Sequence, residues 1–336
     1  MDQIDSKLLI VTENGKYFSL LSIGDIQRAI IKNANLNDPI EGILRKEVVV
    51  ANVKNTFEEI KAEIIKHRAE YMPVIDDENN LVKLYFWNDV IGERSDELKG
   101  QLSNIPVVIM AGGKGTRLKP LTNIIPKALV PIVEKPIVEV IIDRFANLGV
   151  SEVYLTVNHK SEMIEQYFES VKNKKYSIAY IKEDKPLGTA GSLHLLKDKL
   201  KSTFFVSNCD ILIDQDYREV YNYHKTNENS LTIVAALKHY DIPYGTLETK
   251  EGGILEHIEE KPELTFLVNS GMYILEAETL DYIPENEFFH ITHLIDKLRE
   301  ENLRVGVFPV SEKSWLDIGN WSEYNKTQEI FKQKFS

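Results

Sequence analysis

The stretch AGGKGTRLKP, Ala111 to Pro120, stands between the apolar run PVVIM and the stretch LTNIIPKALVP. Three glycines, an arginine and two lysines directly after an apolar strand suit the capture of an oxyanion at a strand end. Glycines allow close backbone approach and leave N–H groups free for anion oxygens. Arg117 offers a planar, permanent charge for bidentate phosphate contact. Two common phosphate loops do not fit. A P-loop places Gly-Lys-Ser/Thr at its end, whereas Lys114-Gly115-Thr116 runs in another order. The dinucleotide fingerprint needs its third glycine where Leu118 stands.

Outward from this loop, short β-rich runs alternate with helical ones. IPVVIM, EVYLTV, YSIAYI, TFFVS and LTIVAAL read as strands. IVEVIIDRFANLG, stopped by Gly149, and SEMIEQYFESV, TAGSLHLLKDKL and DYREVYNYHKT read as helices. The alternation predicts an α/β sheet with helices on both faces. Ligands of such sheets bind beyond the carboxyl ends of the strands. The glycine-rich loop follows one such end and Asn208-Cys209-Asp210 follows another, so both face the same edge.

The front of the chain is different. LLIVTENGKYFSLLSIGDIQ lies over MPVIDDENNLVKLYFWNDVI without a gap, Leu8 on Met72. Each copy reads as strand, polar turn, strand, then a step into a helix. Asn14-Gly15 is a hairpin signal because both residues tolerate positive φ, and Glu78, Asn79 and Asn80 occupy the matching turn. Between the copies, Phe57, Ile60, Ile64 and Ile65 recur at helical spacing. The first copy is the shorter. The expected organisation is a front module at 1–92, a polar linker at 93–104 and the α/β domain at 105–336.

Composition bounds the partners. The 336 residues are 43% hydrophobic and 27% charged, with a formal net charge of −12. That balance disfavours nucleic acid and anionic membranes, while a local Lys/Arg cluster can still take a small anion. The single cysteine, Cys209, excludes an intrachain disulfide and argues against a Cys-based zinc site. No apolar run approaches the roughly 18–20 residues of a membrane span, and MDQIDSKLLIV lacks the pattern of a signal peptide. A cytoplasmic location is expected.

The front repeat resembles a tandem pair of cystathionine-β-synthase-type (CBS) modules. In that family a Ser or Thr three residues before an Asp holds the ribose of an adenine nucleotide. Ser22 and Asp25 match it; the second copy keeps Asp89 but has Phe86 in place of the hydroxyl. The resemblance implies at most one nucleotide site and a homodimer, and a purely structural role for the pair remains open.

AGGKGTRLKPLTNIIPKALVPIVEKPIVE, Ala111 to Glu139, resembles the signature of the sugar-1-phosphate nucleotidyltransferases, and the likeness runs to the end of the chain. It implies a Rossmann-like mixed sheet of the glycosyltransferase-A kind behind a small α+β CBS pair. It implies that Ala111, Gly112, Gly113, Gly115, Thr116 and Arg117 hold the triphosphate and that Lys127 reaches the reacting phosphates. PLGTAG matches the segment that meets base and ribose, which implicates Gly188 and Thr189, with Glu183 ahead of it where guanylyl-type members often carry an acid. PYGTLE brings Gly245 to the sugar; EEKP supplies Glu260 for sugar hydroxyls and Lys261 for the sugar phosphate; VNSGMYI supplies Asn269. Asp210, and Asp317 in WLDIGNW, match the two magnesium ligands. The overall match is closest to the mannose-1-phosphate and glucosamine-1-phosphate guanylyltransferase branch, whose CBS-fused members serve surface-glycan and nonulosonate biosynthesis. GTP is therefore the favoured nucleotide, with UTP and CTP open.

The implied reaction joins an NTP and a sugar 1-phosphate, giving an NDP-sugar and pyrophosphate. Its nucleophile is already an anion, so Arg117, Lys127 and Lys261 serve by positioning and charge neutralisation. Hard carboxylate oxygens at Asp210 and Asp317 suit Mg2+. The rival reading is a non-catalytic nucleotide sensor, disfavoured because all five charged residues are present. Asn158 and His159 follow a strand end and read equally well as satisfied loop residues. His290 and His293 lack a carboxylate partner for metal binding and read as a helix start. Cys209 reads as a buried filler, and Trp315 and Trp321 as packing.

Overall fold

The computed structural model describes residues 8–35, 38–45, 48–67, 69, 71–86 and 102–335. The chain divides into two compact units, Met1–Gly100 and Gln101–Ser336.

In the first unit, β1 (Leu8–Glu13) and β2 (Lys16–Ser22) form an antiparallel hairpin. Asn14 and Gly15 both take positive φ at its turn, as a two-residue hairpin loop requires. Helix α1 (Ile23–Ile31) follows directly. Strand β3 (Ala51–Asn52) and helix α2 (Phe57–His67) lead to a second hairpin, β4 (Tyr71–Ile75) with β5 (Leu81–Phe86). The two hairpins occupy the positions that the sequence repeat superposes. They join through Tyr17, whose N–H donates to the Asn79 carbonyl at 2.9 Å, and share an apolar cluster of Tyr17, Leu20 and Tyr71. Ser22 and Asp25 bind each other. The Ser22 N–H and hydroxyl donate to Asp25 Oδ2 at 2.8 and 2.6 Å, and the hydroxyl oxygen accepts from the Asp25 N–H, closing a capping box. Buried Asp25 also pairs with Arg28 and with Arg45 Nε at 2.9 Å. Asp89 and residues 93–101 of the expected linker lie outside the described residues.

The second unit is built on one mixed sheet. In chain order its elements are β6 (Val107–Met110), α3 (Ile137–Asn147), β7 (Glu152–Val157), α4 (Ser161–Ser170), β8 (Ser177–Lys182), β9 (Phe204–Asn208), β10 (Ile211–Ile213), α5 (Tyr217–Thr226), β11 (Leu231–Asp241), β12 (Thr246–Thr249), β13 (Leu255–Glu259), β14 (Glu263–Leu275), α6 (Ile291–Glu300), β15 (Val305–Ser311), β16 (Trp315–Asp317) and α7 (Trp321–Phe335). The sheet order is β8-β7-β6-β9-β14-β11-β15, with only β14 antiparallel to its neighbours.

Side chains alternate across this sheet. Val107, Ile109, Val153, Leu155 and Phe205 face a core closed by α3, α4 and α5, through Ile141, Phe145, Ile164, Phe168 and Tyr217. Val108, Tyr154, Phe204 and Val206 face a second core closed by α6, through Ile291, Leu294 and Leu298. Phe145 stands 5.2 Å from the Phe205 ring and 4.7 Å from Tyr217. Burial of each such side chain contributes about 1.5–3 kcal/mol.

One element differs from expectation. TAGSLHLLKDKL is not an α-helix: a 3-10 helix spans Gly191–Leu196 and turns follow. The Ala190 and Gly191 N–H groups both donate to the Phe289 carbonyl at 3.0 Å. This fixes the segment's start against another stretch of chain, where the tighter helix begins. No helix among the described residues is long and apolar enough to cross a membrane.

Beyond the carboxyl end of β14, Glu276 ties three elements together. Its carboxylate accepts from Thr203 Oγ1 at 2.8 Å and Lys225 Nζ at 2.6 Å, and lies 3.1 Å from Nε2 of fully buried His224. Burial alone would raise its pKa, but the hydrogen bonds from His224, Lys225 and Thr203 outweigh it and hold the carboxyl at about 2. A depressed carboxylate stabilises the fold above its unfolded value, and that stability is lost as pH falls through the folded one. Glu276→Gln should therefore cost about 1–2 kcal/mol at neutral pH. In thermal melts the gap from the native chain should close between pH 4.5 and about 2.

Candidate active site

The glycine-rich loop leaves the sheet at Ala111, whose N–H still donates to the Thr156 carbonyl at 2.9 Å. Gly115 then takes φ +63°, and a Cβ there would lie 2.9 Å from Thr122 Cγ2 and 3.0 Å from Lys127 Cβ. Only glycine lets the loop rest on Lys127. The Thr122 hydroxyl donates to the Gly115 carbonyl at 2.7 Å and locks this turn. The next residues, Thr116–Leu118, form a single 3-10 turn that buries Leu118 and leaves Arg117 exposed.

Two carboxylates meet this loop. Asp210 follows β9 and is buried. The short strands β10 and β16 pair with Ile211 opposite Asp317, and the Ile318 N–H donates to the Asp210 carbonyl at 2.9 Å. The backbone thus fixes the two acids beside each other. Lys127 Nζ pairs with Asp210 Oδ2, each side chain only 13% exposed. The Gly319 N–H donates to Asp317 Oδ1 at 2.5 Å. A Cβ on Gly319 would stand 2.9 Å from Asp317 Oδ1, 3.1 Å from Arg117 Nη2 and 3.2 Å from Asp210 Oδ2. Arg117, Lys127, Asp210 and Asp317 therefore converge on one point, and Gly319 provides the space. Burial, then the charge of Asp210, raise the Asp317 pKa above the usual carboxylate range, against the pull of the Gly319 N–H, Lys127 and Arg117.

Two adjacent hard carboxylates, one with a raised pKa, fit a divalent cation, which would relieve their repulsion. Among the described residues no group of three or more His, Cys, Asp or Glu gathers to hold a metal by protein ligands alone. Magnesium commonly takes one or two carboxylates and fills its remaining positions with water and substrate phosphates.

On one side of this cluster lies Glu183. Its Oε1 would stand 3.0 Å from a Cβ on Gly112, so the glycine admits it to the loop. Its backbone N–H donates to the Val157 carbonyl at 2.9 Å, and its Oε2 accepts from the Leu187 N–H at 3.3 Å. Burial raises its pKa despite hydrogen bonds from Leu187 and Ser192. Asn158 donates to the Glu183 carbonyl at 2.7 Å and so is a satisfied loop residue. Gly188, at φ +83°, packs so closely that a Cβ would lie 2.7 Å from the Phe289 carbonyl oxygen. The Thr189 hydroxyl oxygen accepts from the Ile291 N–H at 3.0 Å.

The expected sugar-side residues form looser groupings. A Cβ on Gly245 would meet Glu260 Oε2 at 2.9 Å, so these two adjoin. Asn269 Oδ1 accepts from the Gly271 N–H at 3.0 Å, in a bulge of β14 where Gly271 abuts the Asn208 side chain. Lys261 is exposed at φ +51° in the turn before β14 and makes no hydrogen bond or ion pair among the described residues.

Several residues of this edge escaped sequence reasoning. Gly319 is the clearest, and its place two residues after Asp317 was a usable signal. Asn208 was placed at this edge by its strand end, and His290 was read as a helix start, but the contacts of Asn208 with Gly271 and of the Phe289–Ile291 segment with PLGTAG had no signal in the sequence. The His290 N–H donates to His293 Nδ1 at 3.3 Å, as expected of a helix start. Buried Cys209 has its thiol pushed up to about 12 by burial and the Asp210 charge. Trp321 Nε1 donates to the Lys119 carbonyl at 3.0 Å, fastening the end of the glycine-rich loop.

Residues 106–334 match the family described as nucleotidyl transferase. The chain is 33% identical over 231 residues to mannose-1-phosphate guanyltransferase of Saccharomyces cerevisiae, covering 65% of this chain and 62% of that one. It is 31% identical over 236 residues to UTP–glucose-1-phosphate uridylyltransferase of Synechocystis, covering 65% and 61%. The chain thus spans less than two thirds of the length of these two relatives. Among solved structures, HddC from Yersinia pseudotuberculosis superposes with a TM-score of 0.54 at 28% identity, over 68% of this chain and 99% of that one. The same protein is also known complexed with GMP-PN, with the same score and coverage. The chain belongs to the nucleotidyl transferase family.

Proposed function

We propose that the chain transfers a nucleotidyl group from an NTP, GTP in first place, to a sugar 1-phosphate. The observation that carries this reading is the convergence of Arg117, Lys127, Asp210 and Asp317 on the space left by Gly319. An oxygen of the sugar phosphate attacks the α-phosphorus. A new P–O bond forms as the bond to the bridging β-phosphate oxygen breaks, and pyrophosphate leaves with that electron pair. No proton need move, so the chain's work is positioning and charge neutralisation.

Arg117, exposed at the loop, pairs with the β- and γ-phosphates, whose oxygens the loop N–H groups also meet. Lys127 leaves Asp210 to neutralise charge around the α-phosphate. Lys261 holds the incoming phosphate, and Gly245, Glu260 and Asn269 meet the sugar. Asp210 and Asp317 would hold Mg2+, which would supply positive charge to offset that of the phosphates. Half-buried Glu183 beside Gly112 offers an acceptor to the N–H groups of guanine, and the yeast relative's name and the GMP-PN complex point the same way. The Synechocystis relative makes UTP the competing choice.

We read the first unit as the CBS pair, with the duplicated hairpins as support. There Ser22 and Asp25, pre-ordered by their capping box and by Arg28 and Arg45, would take an adenine nucleotide that regulates turnover.

Pyrophosphate release over a grid of four NTPs and a panel of sugar 1-phosphates, with magnesium, tests the catalytic reading. One nucleotide column and one sugar row should respond. Asp210→Asn and Lys127→Ala should each lower that rate by about 10²–10³, and intact turnover in both would sink the assignment. Adding AMP or ATP to the same assay should change the rate, and Asp25→Ala should abolish the change; no response to either nucleotide would leave the first unit a structural role.

A further inference from the structure

The Phe289–Ile291 segment is distant in sequence from PLGTAG yet meets it along its length. Phe289 exchanges three backbone hydrogen bonds with it: its N–H donates to the Leu187 carbonyl at 2.9 Å, and its carbonyl accepts from Ala190 and Gly191 at 3.0 Å each. Neither Gly188 nor Gly191 can carry a side chain here, because a Cβ would fall 2.7 Å from the Phe289 carbonyl oxygen and 2.6 Å from that of Glu287. Thr189 completes the join. Its hydroxyl oxygen accepts from the N–H of Ile291, the first residue of α6, at 3.0 Å, and lies 3.3 Å from His290 Nδ1. The first N–H groups of a helix lack partners within it, so Thr189 caps α6 from a remote loop.

The contacts then run on to the glycine-rich loop. Leu187, held by Phe289, donates its N–H to Glu183 Oε2 at 3.3 Å, and Glu183 Oε1 faces Gly112. We infer that the start of α6 is a strut that sets the position of the nucleotide-facing loop. On this inference Thr189 is a positioning residue that acts through the Ile291 N–H, not a group that touches the nucleotide. The inference rests on the proposal that this loop takes the nucleotide, and it revises the role that the family resemblance implies for Thr189.

Proline suits the first position of a helix, where its missing N–H costs the helix nothing. His290, at φ −91° and ψ 154°, already has the extended conformation that a following proline demands. Ile291→Pro therefore removes the donor while keeping the helix, and Ile291→Ala keeps the donor while removing the packing. Thr189→Val removes the acceptor, and Thr189→Ser retains it.

The experiment measures KM for the NTP, KM for the sugar 1-phosphate and amide hydrogen exchange at Leu187–Gly191 in the full chain. Thr189→Val and Ile291→Pro should each raise the NTP KM about tenfold, the size expected for one lost hydrogen bond. The sugar-phosphate KM should hold, and Thr189→Ser and Ile291→Ala should stay within about twofold of the native chain. The double variant should be no worse than the weaker single one, because both changes cut the same bond. Multiplying effects in the double variant, or an unchanged NTP KM in Thr189→Val, would overturn the inference. If the native chain turns over no NTP, the functional proposal fails separately, and exchange decides the strut: about tenfold faster exchange in both variants supports it, and unchanged exchange rejects it.

Discussion

Two carboxylates, Asp210 and Asp317, stand side by side at the carboxyl edge of a sheet, and the surrounding structure makes that juxtaposition tolerable. Like charges in partial burial repel strongly, because low-dielectric surroundings screen them little. The backbone leaves them no way apart, since β10 pairs with β16 and the Ile318 N–H is bonded to the Asp210 carbonyl. Relief comes from Lys127 on Asp210, the Gly319 N–H on Asp317 and the nearby Arg117 guanidinium. Burial, and after it the Asp210 charge, still leave the Asp317 pKa raised. Two carboxylates so held would favour a divalent cation between them, in keeping with the proposed magnesium.

The sheet explains why these groups meet. β6 and β9 are parallel neighbours, so the glycine-rich loop and the Asp210 turn leave the same edge side by side. β14 runs the other way beside β9, and its bulge at Gly271 comes against Asn208 at that edge. The chain that returns after β15 supplies Asp317 through the small β10–β16 ladder. Residues from across the second unit thus serve one cluster because strand order, not sequence order, decides adjacency.

Much of this was legible in the sequence where a residue type had one physical use. Asn14-Gly15 signalled a hairpin because few residues accept positive φ, and the repeat with Leu8 on Met72 located its twin. Arg117 and Asp210 were legible as strand-end residues once the α/β alternation was seen; Lys127 and Asp317 came from the family resemblance. What could not be read depended on partners far along the chain. The 3-10 helix at Gly191–Leu196 reads as an ordinary helix until Phe289 is known to hold its start. The family resemblance reads Thr189 as a ligand, and could not foresee that its hydroxyl also accepts from the Ile291 N–H. Glu276 had no reading in the sequence, because His224, Lys225 and Thr203 close around it only in the fold. At Gly191–Leu196 tertiary contacts overrode a local helical signal.

Gly319 offers the most direct test of the claim that the carboxylate cluster is the reaction centre. Its φ lies outside the positive region, so alanine fits the backbone, yet the added Cβ would enter the space shared by Asp317, Arg117 and Asp210. The measurement is steady-state turnover of Gly319→Ala beside its melting temperature. The account predicts a folded protein, with Tm within a few degrees of the native chain, whose turnover falls at least about tenfold, toward the loss expected when one electrostatic group is misplaced. A folded variant with native turnover would contradict it, because chemistry that ignores a methyl group among those three side chains does not take place there.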